Sequence, residues 1–217
     1  MSDRFHLKPG YVEQRSPRYY QDTAENDWQP DVYPFAFGLA RSLGVNRVID
    51  IGCGKASKLR PFFQSGIDIV GLDDDDNVGW CRANYPQGDW RQVDLEMLDS
   101  VLLANPELVD PRAAILISAD VIEHLKDPMP FLRAFQTWMK TAKLALISTP
   151  ERDLEHGLNH MGPPENQGHI REWNRAEFEG LLRAAGLNVL HVGLTRAHRS
   201  HTDSRTTLAV IGNSTPK

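Results

Sequence analysis

Apolar residues recur along this chain in two rhythms that alternate. From Asp31 to Leu43, the run DVYPFAFGLARSL places them at helical spacing, with Pro34 in the first turn and Gly44 as the stop. Short β-branched runs then take turns with helical stretches. Strands are predicted at Arg47–Ile51, Ile67–Leu72, Arg91–Leu95, Ala113–Ser118, Leu144–Ser148, Asn188–Leu194 and Thr206–Ile211. Helices are predicted from Lys58 to Gln64, through Trp80 to Tyr85, from Pro130 to Lys140 and from Arg175 to Ala185. Strands that alternate with helices imply right-handed crossovers and a mostly parallel sheet covered on both faces. The last two strands are joined by a stretch containing HRSHTDSR without a helix, so they should pair antiparallel. The pattern is that of an α/β three-layer sandwich. The first 30 residues keep neither rhythm and read as an irregular arm.

The chain has 217 residues, enough for one domain with a small appendage. Its 24 Lys+Arg against 29 Asp+Glu leave a net charge of −5, which gives no general pull on nucleic acid. Two cysteines, Cys53 and Cys81, are too few for a disulfide framework, so a cytoplasmic compartment is expected. No stretch approaches the roughly 20 apolar residues of a membrane span, and the start has no signal-peptide core.

Chemistry concentrates where strands end. VIDIGCGKASK (Val48–Lys58) runs from a strand through Asp50 into a turn that Gly52 and Gly54 make tight. The spacing is neither the dinucleotide G-x-G-x-x-G nor a P-loop, because no G-K-[ST] follows. GLDDDDN ends the second strand at Asp73 and Asp74, WRQVDLE carries Asp94 and Leu95, and ISADVIEHLKDP carries Ser118, Ala119, Asp120, Glu123 and His124. These four segments, in this order, resemble class I S-adenosylmethionine-dependent methyltransferases over about Val48 to Asn213.

That resemblance implies a seven-stranded Rossmann-like sheet of order 3-2-1-4-5-7-6 and S-adenosylmethionine as cofactor. It places Asp50, Gly52, Cys53, Gly54, Asp73, Asp74, Asp94, Leu95, Ser118 and Ala119 around the cofactor, with Asp73 on the ribose hydroxyls and Asp94 on the adenine amino group. It also divides the chain into an arm and helix, residues 1–44, that cover the cofactor site, and a cofactor-binding domain, 45–217. Tyr20, Gln29 and Tyr33 are candidates for covering the methionine end. Ala56 departs from the pattern, since many members carry a third glycine there.

On the acceptor side, D-x-x-E-H followed by His169 in GHIREWNRAEF is similar to metal-dependent 2′-O-methyltransferases of small-RNA ends and to ubiquinone-pathway O-methyltransferases. Asp120, Glu123, His124 and His169 are therefore the candidate ligands of a divalent metal such as Mg²⁺ or Mn²⁺. If a helix begins at Asp120, the first three share a face. The alternative is a metal-free site with His124 or His169 as general base. The polar stretch Glu151–Gln167 reads as a lid, with Glu155, His156, Asn159 and His160 as acceptor contacts. Trp173 stands at a helix entrance, which favours packing over base stacking.

The chain lacks the N-P-P-[YF] signature of amide or base N-methylation. Gly162-Pro163-Pro164 matches it neither in place nor in order. The loop pattern resembles bacterial methyltransferases encoded with glycosyltransferases. O-methylation of a sugar or other small hydroxylated acceptor is thus the expected function, with no membrane or nucleic-acid partner. Two alternatives remain: an RNA-end methyltransferase using Arg171, Arg175, Arg196, Arg199 and Arg205, and a non-catalytic cofactor-binding protein on the same fold.

Overall fold

The computed structural model describes residues 5–18 and 27–214. Tyr20 lies outside these residues. Seven strands form one sheet: β1 (Arg47–Ile51), β2 (Asp68–Asp73), β3 (Asp89–Gln92), β4 (Ile115–Ala119), β5 (Leu144–Pro150), β6 (Asn188–Thr195) and β7 (Thr206–Gly212). Their order is β3-β2-β1-β4-β5-β7-β6. The first five run parallel, and β7 pairs antiparallel with both β5 and β6. The expected sheet is therefore the observed one.

Inner strands alternate between two cores, as a sheet buried on both faces must. Val48, Ile115 and Ile117 face one layer with Phe37 of α1 (Val32–Ser42) and Val78 of α2 (Asp75–Asn84). Ile49, Ile51 and Leu116 face the other, with Leu98 of α3 (Leu98–Ala104), Phe131 and Phe135 of α4 (Pro128–Trp138), and Phe178 of α6 (Arg175–Ala184). Among the described residues, no helix is long and apolar enough to cross a membrane.

Three expectations change. The helix predicted over Lys58–Gln64 is a 3-10 turn of only Arg60–Phe62. Pro61 sits in that turn, and the Phe62 ring stacks on Phe37 at 4.0 Å, so packing rather than helical pitch sets the segment. The edge strand lies at Asp89–Gln92, before the segment expected, because Trp90 must bury and donate Nε1–H to the Tyr85 carbonyl. The lid contains a helix, α5 (Arg152–His156), whose N-cap Glu151 accepts the Leu154 amide at 2.7 Å.

The described part of the arm, residues 5–18, lies along the loop after α5. Val12 donates its amide to the Met161 carbonyl, Gln14 to Ile170 and Arg18 to Gln167, each at 2.8 Å. Trp173, fully buried, donates Nε1–H to the Phe5 carbonyl, so it packs rather than stacks on a ligand. Arg171 is covered by the Phe5 ring and donates to the carbonyls of Leu125 and Lys126.

Candidate functional site

The sheet reverses its order of growth between β1 and β4, and ligands of open α/β sheets sit at the carboxyl ends of strands flanking that point. Here β1 ends in Asp50 and Ile51, and the chain turns through Gly52 (φ +79) and Gly54 (φ +53). The amides of Gly52 and Cys53 donate to the Leu72 carbonyl at 2.8 and 3.2 Å, pinning the turn to the end of β2. A Cβ on Gly52 would lie 2.4 Å from a methyl of Val121, so only glycine passes there. Asp50 is fully buried and accepts from Tyr33 Oη at 3.1 Å.

Asp73 closes this end. Its Oδ2 accepts the Gly54 amide at 2.7 Å, and its Oδ1 accepts the Asp74 amide at 2.8 Å and Asn77 Nδ2 at 2.9 Å. Burial raises its pKa, and these three donors oppose that rise. A carboxylate offers about four acceptor directions. Three are filled, which leaves room for a ribose hydroxyl. Gly52, Gly54 and Asp73 therefore fit an adenosyl cofactor.

The other expected cofactor residues have visible local duties. Asp74 caps α2 by accepting the Asn77 amide, and Asp94 caps a 3-10 turn by accepting the Glu96 amide, both at 2.9 Å. Leu95, half-buried, opens that turn. Ser118 Oγ, buried, donates to the Ile51 carbonyl at 2.9 Å, and Ala119 is buried at the end of β4. Cys53 is buried too. Its thiol pKa is pushed up by a hydrogen bond with Cys81 and by burial, which leaves an inert thiol rather than a nucleophile.

Beyond Val121, a 3-10 turn (Ile122–His124) carries Glu123 and His124 to the same edge. His169 comes to meet them from the loop before α6, and the two imidazoles stand edge to face at 4.7 Å. Ligand atoms of Glu123, His124 and His169 lie within 4.8 Å of one another. His124 Nδ1 meets the Gly168 carbonyl at 2.8 Å, so it must carry the proton and leave the lone pair on Nε2. His169 Nδ1 meets Glu172 Oε1 at 2.5 Å. Burial tends to raise the Glu172 pKa, but its hydrogen bond and charge contact with His169, then those with His156, bring it below the ordinary value. An ionised carboxylate only accepts, so His169 Nδ1 also bears its proton.

Glu123 is wholly buried. Its Oε2 accepts from Thr149 Oγ1 at 3.0 Å, while Oε1 has no hydrogen-bond partner among the described residues. Burial, and then the charge of Asp120, lift its pKa well above the ordinary value. Burial and the neighbouring His169 lower that of His124 to about 4. An orphaned carboxylate oxygen beside two imidazoles is a donor set that would suit a divalent cation, although His169 Nε2 meets Asn166 Nδ2 at 3.0 Å and a cation would have to displace it.

Asp120 does not join this set. A 3-10 turn replaces the expected helix, and Asp120 itself adopts φ +55. Its Oδ1 accepts from Ser148 Oγ at 2.8 Å and its Oδ2 from Gln29 Nε2. Both oxygens are thus turned toward β5 and the arm. Gln29 consequently reaches the site's edge, while Tyr33 donates to Asp50.

The lid residues divide. Glu155 is 3.6 Å from Arg205, and Asn159 is exposed. The His156 and His160 rings lie 4.7 Å apart, tilted by 34°. His156 Nε2 also meets Glu172 Oε2 at 2.9 Å, so one carboxylate orients His169 and His156 together. Sequence reasoning missed Thr149 and Glu172. The H-x-x-E spacing of His169 and Glu172 was the available signal for the second.

A family model described as a methyltransferase domain matches residues 20–192. The chain belongs to that family. A probable S-adenosylmethionine-dependent methyltransferase of Mycolicibacterium smegmatis is 31% identical over 70% of this chain and 55% of its own length. A ubiquinone biosynthesis O-methyltransferase of a Ruegeria species is 29% identical over 65% of this chain and 60% of its own. This chain thus spans just over half the length of these relatives. Among solved structures, magnesium protoporphyrin IX methyltransferase from Synechocystis, with SAH bound, superposes with a TM-score of 0.57 at 16% identity. That match covers 84% of this chain and 82% of the neighbour. The cofactor of this chain is S-adenosylmethionine.

Proposed function

We propose that this chain transfers a methyl group from S-adenosylmethionine to a hydroxyl of a small molecule, at the edge shared by the Gly52–Gly54 turn and the Glu123–His124–His169 set. The observation that carries this reading is the juxtaposition itself. Val121 touches Gly52 and opens the turn that bears Glu123 and His124.

Methyl transfer is an in-line displacement, so alignment is the protein's main task. Gly52, Gly54 and Asp73 would hold the adenosyl part of the cofactor, whose sulfonium supplies an activated methyl group. Glu123, His124 and His169 would hold a divalent cation, which supplies Lewis-acid polarisation of an acceptor oxygen. Thr149 fixes one oxygen of Glu123, while the Gly168 carbonyl and Glu172 fix the two imidazoles. With two nitrogens and one carboxylate, the set suits Mn²⁺ or Zn²⁺ better than Mg²⁺, because Asp120 contributes no oxygen. Without a cation, the same nitrogens could take the hydroxyl proton. Asn166 Nδ2 donates to His169 Nε2 at 3.0 Å, so a hydroxyl or a cation at that nitrogen would displace the amide.

Relatives named for ubiquinone biosynthesis O-methylation favour oxygen as the nucleophile, in keeping with a carbohydrate or phenolic hydroxyl. The RNA-end alternative is less favoured, since of its five arginines only the exposed Arg175 is neither buried nor ion-paired among the described residues. Arg171 is buried, Arg196 pairs with Asp31, Arg199 with Asp27, and Arg205 with Asp203 and Glu155.

The deciding experiment incubates labelled S-adenosylmethionine with a panel of sugars, phenols and catechols, before and after chelation. Label in an O-methylated product that Glu123→Gln reduces by roughly a hundredfold supports the proposal. Label only on nitrogen, or none on any acceptor, ends it. Chelation separates the two forms of the site: activity that survives EDTA favours the metal-free form with His124 or His169 as base.

A further inference from the structure

A second group of ligand-type side chains lies on the outer face of the loop, and it takes no residue from the site above. His156 closes α5, and Gly157 (φ +88) turns the chain. The His160 amide then donates to the Gly157 carbonyl at 3.1 Å, folding one ring over the other. Farther along the loop, Glu165 brings Oε1 to 3.6 Å from His156 Nδ1. Ligand atoms of His156, His160 and Glu165 all lie within 4.8 Å of one another.

The protons decide what this group is for. His156 Nε2 meets Glu172 Oε2 at 2.9 Å, and an imidazole nitrogen that hydrogen-bonds a carboxylate oxygen does so as the N–H donor, so this nitrogen carries a proton. In the neutral ring the lone pair is then on Nδ1, the nitrogen facing the Glu165 carboxylate. A lone pair aimed at a carboxylate repels it unless a cation stands between them. His–carboxylate second-shell pairing, the H-x₃-H spacing and one further carboxylate are together the donor set of a zinc-type ion with an open position.

We propose that His156, His160 and Glu165 form a second divalent-cation site, suited to Zn²⁺, that staples the loop of residues 157–165 to the end of α5. Glu172 lies between the two sites. By accepting from both His156 and His169, it holds each ring with its other nitrogen outward. An ion at the outer site thus fixes the carboxylate that sets the orientation of His169. The competing account is a protonated His156 held between Glu165 and Glu172, with no ion at all.

The test uses the full chain stripped by chelation and titrated with Zn²⁺ alone against a chromophoric chelator. Glu123→Gln removes the inner carboxylate, and Glu165→Gln removes a carboxylate that is largely exposed and carries no part of the fold. Glu123→Gln should retain one equivalent of tightly bound Zn²⁺. The Glu123→Gln, Glu165→Gln pair should bind it at least about tenfold more weakly, the loss that even outer-shell changes cause. His160→Ala in the same background should do likewise, and Zn²⁺ should protect the 157–165 loop from protease only while the outer residues are intact. Unchanged Zn²⁺ binding on removing Glu165 and His160, or none in Glu123→Gln, overturns the proposal. Failure of the inner site would appear differently: Glu123→Gln would match the parent chain, while Glu165→Gln still lost its equivalent.

Discussion

The Gly54 amide and the Asp73 carboxylate are joined by a 2.7 Å hydrogen bond, so the residue expected to meet the cofactor's ribose also holds the turn beneath it. Replacing Asp73 therefore removes two things at once. Asp73→Ala should lower affinity for S-adenosylhomocysteine by at least about tenfold, since a hydrogen bond to a charged group contributes roughly 1.5–3 kcal/mol. Isothermal titration with that product measures the effect. Affinity within twofold of the parent would show that the cofactor lies elsewhere.

Gly52→Ala should be damaging for two separable reasons. The added Cβ would meet Val121 at 2.4 Å, and φ +79 strains any residue with a side chain. A loss of about 2–4 kcal/mol in urea unfolding is expected from strain and overpacking together. Val121→Ala in the same chain should recover part of it, by relieving the contact but not the backbone. No recovery would assign the whole effect to φ.

Ala56 gives the opposite case. It occupies the left-handed region at φ +52, a conformation that favours glycine. Ala56→Gly should raise stability by about 0.5–1 kcal/mol, because removing the Cβ strain outweighs the added freedom of the unfolded chain. A thermal melt showing a lower midpoint would contradict this.

Asp153 should make the acid limb of stability steeper. Burial tends to raise its pKa, but hydrogen bonds from Asn174 and the wholly buried Arg152 hold it below the ordinary value. In the native state this carboxylate therefore gives up its proton more readily than in the unfolded chain. Its contribution is complete above about pH 4, the unfolded value, and is lost as pH falls through the lower native value. Between about pH 4 and 2, the parent should lose more stability per pH unit than Asp153→Asn. Parallel urea curves over that range would remove the claim.

Much of this was legible in the sequence, because local rules were enough. Gly52 and Gly54 announce positive φ, the β-branched runs announce buried strands, and Asp73 follows from the end of β2. What failed depended on distant partners. Asp120 left the expected ligand set because Gln29 and Ser148, 91 and 28 residues away in sequence, claim its oxygens. Ser118 looked available but donates to Ile51, 67 residues earlier. The short α5 exists because Glu151 caps it and Glu177 pairs with Arg152 at 2.6 Å. No local pattern encodes that pair.

The placement of residues 5–18 bears on where this domain begins. The family match starts at residue 20, yet the stretch before it shields the Trp173 indole and supplies Glu13 to the Arg171 guanidinium. A protein trimmed to the family's frame would open the hydrophobic underside of the acceptor loop to water and strip a buried cation of its counter-ion. The folding unit is larger than the segment by which it is recognised.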